Sequence, residues 1–392
     1  MALKNEDLKA IVEAEVQDSG VDNKQVGYER AANRISELID TKKLSVSDFS
    51  IREMYRSLVD PNFELAHASA KSISEAIQSS AFPNITSKVM HGTVMPAYFF
   101  EIGNIPNLVT ESDAYHAGSN DVPGFTAADT PKMRREGFSY KETGMSEKYA
   151  TIDCVDIGQI ISLTREAIFN DRTGQLVTRA KEIGKYLAQA RERMIIETIE
   201  VATRTDLEET TSRAFVIMGT AIAASNFYNS DHSAIAGLDG QVNDTVDVTD
   251  DDTLSSAGLD AVANLFPAML DEKGSKISVK PKQLLVPTRY RRKAWQLTVS
   301  AGEYDTANNA ENYFKGLYET YTSPYLSTAY YYYLGDFSRQ LMWLWVWRPE
   351  TEVQGAGTDL AFERQIVLRM RTSMNGGCGH VDYRNIVRGG TT

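Results

Sequence analysis

Five histidines, His67, His91, His116, His232 and His380, are the side chains of this sequence best suited to move protons near neutral pH. His232 has the most suggestive neighbours: in "FYNSDHSAIAG" it stands between Asp231, which could orient an imidazole, and Ser233, which could act as a nucleophile. Adjacent residues point apart, however, and triads are assembled from distant residues, so the tripeptide is a weak signal. The other histidines stand singly, which is the habit of hydrogen-bonded structural or surface residues.

Oxygen ligands are clustered at Asp247, Asp250, Asp251 and Asp252, a run that could face a hard cation. It lacks the turn glycine and closing glutamate of a calcium loop, and reads as a solvated surface segment. Gly376, Gly377 and Gly379 in "MNGGCGHV" link two strand-like runs without opening a helix, so they predict a flexible hairpin turn and no phosphate cradle. The sequence contains no G-x-x-x-x-G-K-[ST], G-x-S-x-G, H-E-x-x-H or C-x-x-C pattern. Cys154 and Cys378 are its only cysteines, too few for a disulfide framework, although one bridge between them stays open. The expectation is a protein without catalytic residues, cofactor or metal.

Charge narrows the partners. With 53 acidic and 41 basic residues the formal net charge is −12, which argues against a protein built to grip phosphate backbones. The basic group Arg289, Arg291, Arg292 and Lys293 opens an expected helix continuing "KAWQL", and reads as a solvated helix face. Hydrophobic residues at 42% and charged residues at 24% are ordinary for soluble globular chains, and no apolar run approaches the ~18 residues that span a bilayer. The opening "MALKNEDLKAIVEAEVQDSG" has charges throughout and no apolar core of a secretory signal, so a cytoplasmic origin is expected.

The elements that would position these groups follow from periodicity. Residues 1 to about 80 predict helices: "ERAANRISELID" sets Ile35, Leu38 and Ile39 on one side, and "SDFSIREMYRSLVDP" runs from a Ser47 or Asp48 cap to Pro61. Pro83, Gly92 and Pro96 then break helical continuity. From Thr110 to Lys148 the chain turns polar and glycine-rich, as a long protruding hairpin would, before strand-like alternation resumes at Ile152, Cys154 and Ile157. The clearest element lies beyond Asn170 and Asp171, either of which offers an N-cap. Leu176, Ala180, Ile183, Leu187, Ala190 and Met194 recur at spacings of four and three, predicting a helix over 174–202, ~43 Å long. Arg179, Lys181, Glu182, Lys185, Arg191 and Glu192 fill the rest of its circumference, where they would meet water or a neighbour. A coiled-coil dimer is the rival account, weakened by fewer than four heptads and alanines in the seam.

Residues 212 to 335 predict mixed α/β structure, with strand "QLLVP" and a helix from Thr288, followed by closing strands "RQLMWLWVWRP", "FERQIVLRMRTSMNGG" and "HVDYRNIVRG". Within "YYYYLGDF", Tyr330 to Tyr333 put aromatic rings on both faces of one strand. Either the domain sandwiches that strand, or another protein molecule closes one face. Leu341, Trp343, Trp345 and Trp347 alternate in the strand that follows.

The order of these parts resembles the major capsid proteins of tailed bacteriophages, whose fold takes its name from a Hong Kong coliphage, and among them the Mu-type head subunits. The resemblance rests on "YKETGMSEKYATIDCVDIGQIISLTREAIFND", on the long helix after it, and on "FYNSDHS", "PKQLLVPTRYRRKAWQL", "YYYYLGDF" and "FERQIVLRMRTSMNGGCGHVDYRNIVR", together covering roughly residues 85 to 392. It implies an α+β capsid fold: a helical N-terminal segment or arm at 1–84, a peripheral domain beginning at 85–121, an extended loop at 122–163 and a spine helix with its lead-in at 164–208. An axial domain at 209–335 and closing strands at 336–392, shared by axial and peripheral domains, complete it. In such a fold the 1–84 segment is an arm or a scaffolding region removed on maturation.

The function so implied is a major head protein that self-assembles through hexamers and pentamers into an icosahedral shell around packaged double-stranded DNA. The shell would be formed in the host bacterial cytoplasm and located in the virion, with portal, scaffolding, maturation protease and decoration proteins as partners. The extended loop would cross to the adjacent subunit, which makes Lys132, Arg134, Arg135 and Lys141 the candidate intersubunit contacts. The alternatives are an encapsulin-like cellular compartment, which would need a cargo-docking groove, and an oligomeric hydrolase using His232.

Overall fold

The computed structural model describes residues 5–18, 24–40, 82–125, 133–140, 142, 147–164, 166, 175–200, 214–217, 220–223, 227–228, 254–271, 274–302, 311–327, 330–355 and 366–390. Contacts divide the chain into two units. One comprises Met1–Ile102, Asp156–Ala190 and Trp347–Met374; the other comprises Gly103–Val155, Arg191–Val346 and Asn375–Thr392.

Helices α1 (Asn5–Asp18), α2 (Lys24–Asp40) and α3 (Phe82–Glu101) begin the first unit, where α2 packs against both α1 and α3. Within α2, Ala31 and Ile35 are wholly buried, while Leu38 is half-buried. The helix expected over "SDFSIREMYRSLVDP" lies outside the described residues. Around Pro83, Gly92 and Pro96 the expectation of broken structure is corrected, because these residues lie within α3. Pro96 cannot donate a hydrogen bond to the carbonyl of Gly92, and the loss is tolerated because burial outweighs propensity. Val89, Met90, Val94 and Tyr98 are all buried along this helix.

Next come β1 (Thr110–Asp113), β2 (Ser119–Phe125), β3 (Glu147–Asp153) and β4 (Val155–Thr164), leading to α4 (Gln175–Glu200). Then follow β5 (Ala214–Ile217), β6 (Thr220–Ala223), α5 (Ser256–Leu265), β7 (Gln283–Pro287), α6 (Arg291–Thr298) and β8 (Glu319–Ser323). The chain closes with β9 (Tyr331–Gly335), β10 (Leu341–Gly355), β11 (Ile366–His380) and β12 (Ile386–Gly390). Helix α4 matches the expected long helix to within two residues at each end. Gly184 gives it close access to α3, since a Cβ there would collide with the carbonyl oxygen of Val94.

Among the described residues, one four-stranded sheet has the order β1-β10-β11-β4 and another the order β12-β9-β7-β8, in which only β7 and β8 run parallel. Strands β2 and β3 pair antiparallel from Ser119 opposite Asp153 to Phe125 opposite Glu147. The four-tyrosine strand lies inside the second sheet. Tyr332 points into a core of Leu259, Phe266, Leu284 and Tyr290, and Tyr333 faces Tyr228 on the other side, with ring centroids 5.5 Å apart. Burial pushes both phenols well above their ordinary range, so they stay neutral packing groups. The domain itself therefore sandwiches the strand at these two positions, while Tyr330 stays 43% exposed beneath Arg289.

The glycines of "MNGGCGHV" do not form the expected hairpin turn, for β11 runs through all of them to His380. Their role is close approach. A Cβ on Gly376 would meet the Trp343 ring, and one on Gly377 would collide with the carbonyl oxygen of Asp153. Cys154 and Cys378 are buried free thiols, which closes the question of a bridge.

Candidate functional site

Along α4, Ala180, Ile183, Leu187 and Met194 are buried, and Arg179, Lys181, Glu182 and Lys185 are exposed, as the amphipathic pattern requires. Arg191, expected on the charged circumference, is instead 4% exposed. Its position explains this: 191 follows Leu187 by four and precedes Met194 by three, so it lies on the buried stripe, while Ala190 beside it is only half-buried.

Three aromatic and acidic groups receive it. The guanidinium pairs with Glu111 on β1, and its carbon lies 4.9 Å from the Trp343 ring centre and 4.8 Å from that of Trp345. The two indoles meet edge to face with centroids 5.2 Å apart, and Trp345 Nε1 donates to the other Glu111 oxygen at 2.9 Å. Parallel pairing of β1 with β10, which sets Glu111 opposite Trp343 and Asp113 opposite Trp345, brings the carboxylate to this place. The guanidinium can only donate here, and the carboxylate is engaged on both oxygens, so the grouping is structural. It is a lock: a desolvated cation held by charge and by two ring faces, where each ring contact is worth up to ~2 kcal/mol.

The connection between β2 and β3 is its opposite. In the described stretch 133–140, Met133, Phe138 and Tyr140 are 103%, 67% and 76% exposed, so nothing in the described subunit covers them. Arg134 stacks on Tyr140 at 4.7 Å, and a turn closes where Phe138 N donates to the Arg135 carbonyl at 3.2 Å. Gly137 holds φ at 86° within that turn, in the left-handed region that favours glycine. Neither arginine has a carboxylate partner among the described residues. Lys132 and Lys141, the other two candidate contacts, lie outside the described residues.

His380 is a structural residue. It is buried, its Nε2–H donates to the Thr198 carbonyl at 2.8 Å, and its Nδ1 accepts from Gln340 Nε2 at 3.2 Å, which assigns the tautomer. His116 is exposed, and His67, His232 and the aspartate run at 247–252 lie outside the described residues. Among the described residues no group of three or more His, Cys, Asp or Glu could hold a metal, and no helix is long and apolar enough to cross a membrane. Arg289, Arg291 and Arg292 are exposed where a 3-10 turn meets α6.

A family model described as phage capsid protein matches residues 149–389, more than half of the chain. The chain belongs to this family of phage capsid proteins. Among solved structures it is similar to the capsid of a native GTA particle, at 10% identity over 72% of this chain and 88% of that one, with a TM-score of 0.49. It is also similar to a chain of Mycobacterium phage Bobi, at 11% identity over 74% of this chain and 90% of that one, TM-score 0.45. A chain of Gordonia phage Cozz gives 12% identity over 74% and 86%, TM-score 0.47. No curated protein matches. Family membership makes this a structural capsid protein of the virion and no enzyme, which sets aside the hydrolase built on His232; nor does it favour the encapsulin-like compartment.

Proposed function

We propose that the chain is the repeating subunit of a tailed-phage head, assembling through hexamers and pentamers into a closed icosahedral shell around double-stranded DNA. Portal, scaffolding, maturation protease and decoration proteins are its partners in this reading, and the host bacterial cytoplasm is where the shell forms. The arm between β2 and β3 lies across the adjacent subunit. The observation that carries this is the exposure of Met133, Phe138 and Tyr140 beside Arg134 and Arg135, which have no carboxylate partner among the described residues, since large apolar side chains and fork-shaped cations are the groups that interfaces favour. An acidic neighbour offers carboxylates for bidentate pairing, which fixes register as well as affinity.

Net negative charge suits the interior of such a shell, because a wall that packaged DNA must slide past gains nothing from tight phosphate contacts. Electron microscopy of the purified chain tests the proposal: closed particles of uniform diameter are expected, and discrete small oligomers at high protein concentration would refute it.

A further inference from the structure

Beside α6 the second unit carries a groove of about 1470 Å3, lined by residues of β7, α6, β8 and the segments around them. Its cations outnumber its acids: Lys282, Arg289, Arg291, Arg292 and Lys315 face it, against Glu319 and Asp336. Asp336 is already taken by Lys282 at 2.9 Å and by Arg339 at 3.6 Å, and Glu319 accepts from Tyr321 at 3.1 Å. Arg291, Arg292 and Lys315 have no carboxylate within pairing distance among the described residues. Arg291 and Arg292 also occupy the first turn of α6, which holds no acidic residue, so the helix dipole opposes them. In a chain with 53 acids to 41 bases, three cations in one concavity without a carboxylate partner among the described residues suit an outside counter-charge.

The groove is also apolar. Trp295, Val299 and Leu317 are 58%, 51% and 47% exposed on its walls, with Trp295 and Val299 one helical step apart. Nucleic acid would satisfy the cations while leaving Val299 and Leu317 without apolar partners, and it would approach a molecule of net charge −12. A protein surface satisfies both demands, and Trp with Arg is the pairing that dominates binding energy at protein interfaces.

We infer that this groove is a contact surface for a second copy of the chain, whose excess carboxylates neutralise Arg291, Arg292 and Lys315 while its apolar side chains cover Trp295. The inference rests on the shell reading and adds a contact separate from the arm. Its test is the full-length double variant Arg291→Glu with Arg292→Glu, compared by sedimentation velocity with wild type and with the control Lys276→Glu, Lys280→Glu, whose lysines are exposed outside the groove lining. The groove variant should melt like wild type yet yield at least about tenfold fewer assembled particles, because like charges would then face each other across every copy of the contact. Trp295→Ala, which leaves charge unchanged, should lower the yield as well. Wild-type assembly by the groove variant would overturn the inference and leave the shell reading standing, whereas failure of wild type itself to assemble would overturn both. An equal loss in the control would trace the effect to net charge and overturn it too. Binding of a labelled DNA duplex by the unassembled subunit, lost in the groove variant while assembly persists, would assign the groove to nucleic acid instead.

Discussion

Arg191 and Arg134 both stack on aromatic rings, and their surroundings differ in every other respect. Arg191 is enclosed by Trp343, Trp345 and Glu111, whereas Arg134 lies over Tyr140 in the stretch 133–140, whose Met133 and Phe138 nothing in the described subunit covers. In the first case desolvation makes each contact strong and makes loss of any partner costly. In the second, water screens the charge and the contact adds little to folding. The same chemistry thus holds the subunit together in one place and, in the proposed shell, is open to a neighbour in another.

The largest expected effect breaks the locked side at its foundation. Ile183→Asp would put a carboxylate into the buried stripe of α4, where an unpaired charge costs several kcal/mol, and soluble, cooperatively folded protein should not be recovered. Recovery in wild-type yield would show that this stripe is not core. Next, Glu111→Ala would strand the buried guanidinium and remove the Trp345 acceptor; solvent already reaches the 44%-exposed Glu111 side chain, so the loss should be about 2–3 kcal/mol in chemical unfolding. Arg191→Met, which keeps a polarisable chain between the indoles, should cost about 1 kcal/mol or less. If the two variants were equally destabilised, charge pairing would not be what holds the cluster.

A smaller effect is sensitive to pH. Burial alone would raise the Asp336 carboxyl, but hydrogen bonds from Lys282 and Ser338 and the charges of Lys282 and Arg339 outweigh it and leave it below its ordinary 3.8. A carboxyl depressed in the folded state stabilises fully above its unfolded value, and that contribution disappears as pH falls through the folded value. Urea midpoints measured downward from about pH 5 should therefore fall less steeply for Asp336→Asn than for wild type. Parallel curves would contradict the assignment.

Legibility in the sequence followed the same division. Helix α4 was readable because its apolar spacing is regular from Leu176 to Met194, about five turns, and β9 was readable as doubly buried because four tyrosines cannot share one face. Arg191 was misassigned because residue type was weighed above position, and a stripe drawn through Leu187 and Met194 passes through it. Glu111 gave no signal, since its partners lie 80 and 234 residues away. Helix α3 and the glycines of β11 were missed for one reason: Gly and Pro were read as breakers where tertiary packing uses them, at Gly376 to admit the Trp343 ring. Trp347, in alternation with two buried tryptophans, is 39% exposed, which period two alone does not foretell.

The proposed arm rests in the sequence only on composition, on its polar residues, glycines and cations, and that is where the central claim is most open to test. Sedimentation velocity of the double variant Arg134→Glu, Arg135→Glu, run alongside wild type after thermal unfolding has verified an intact subunit, is the most direct measurement. Folding should change by no more than about 0.5 kcal/mol, as for other exposed substitutions. Particle formation should be lost or misdirected, because repulsion would recur at every contact between subunits. Normal particles at moderate salt from this variant would contradict the account.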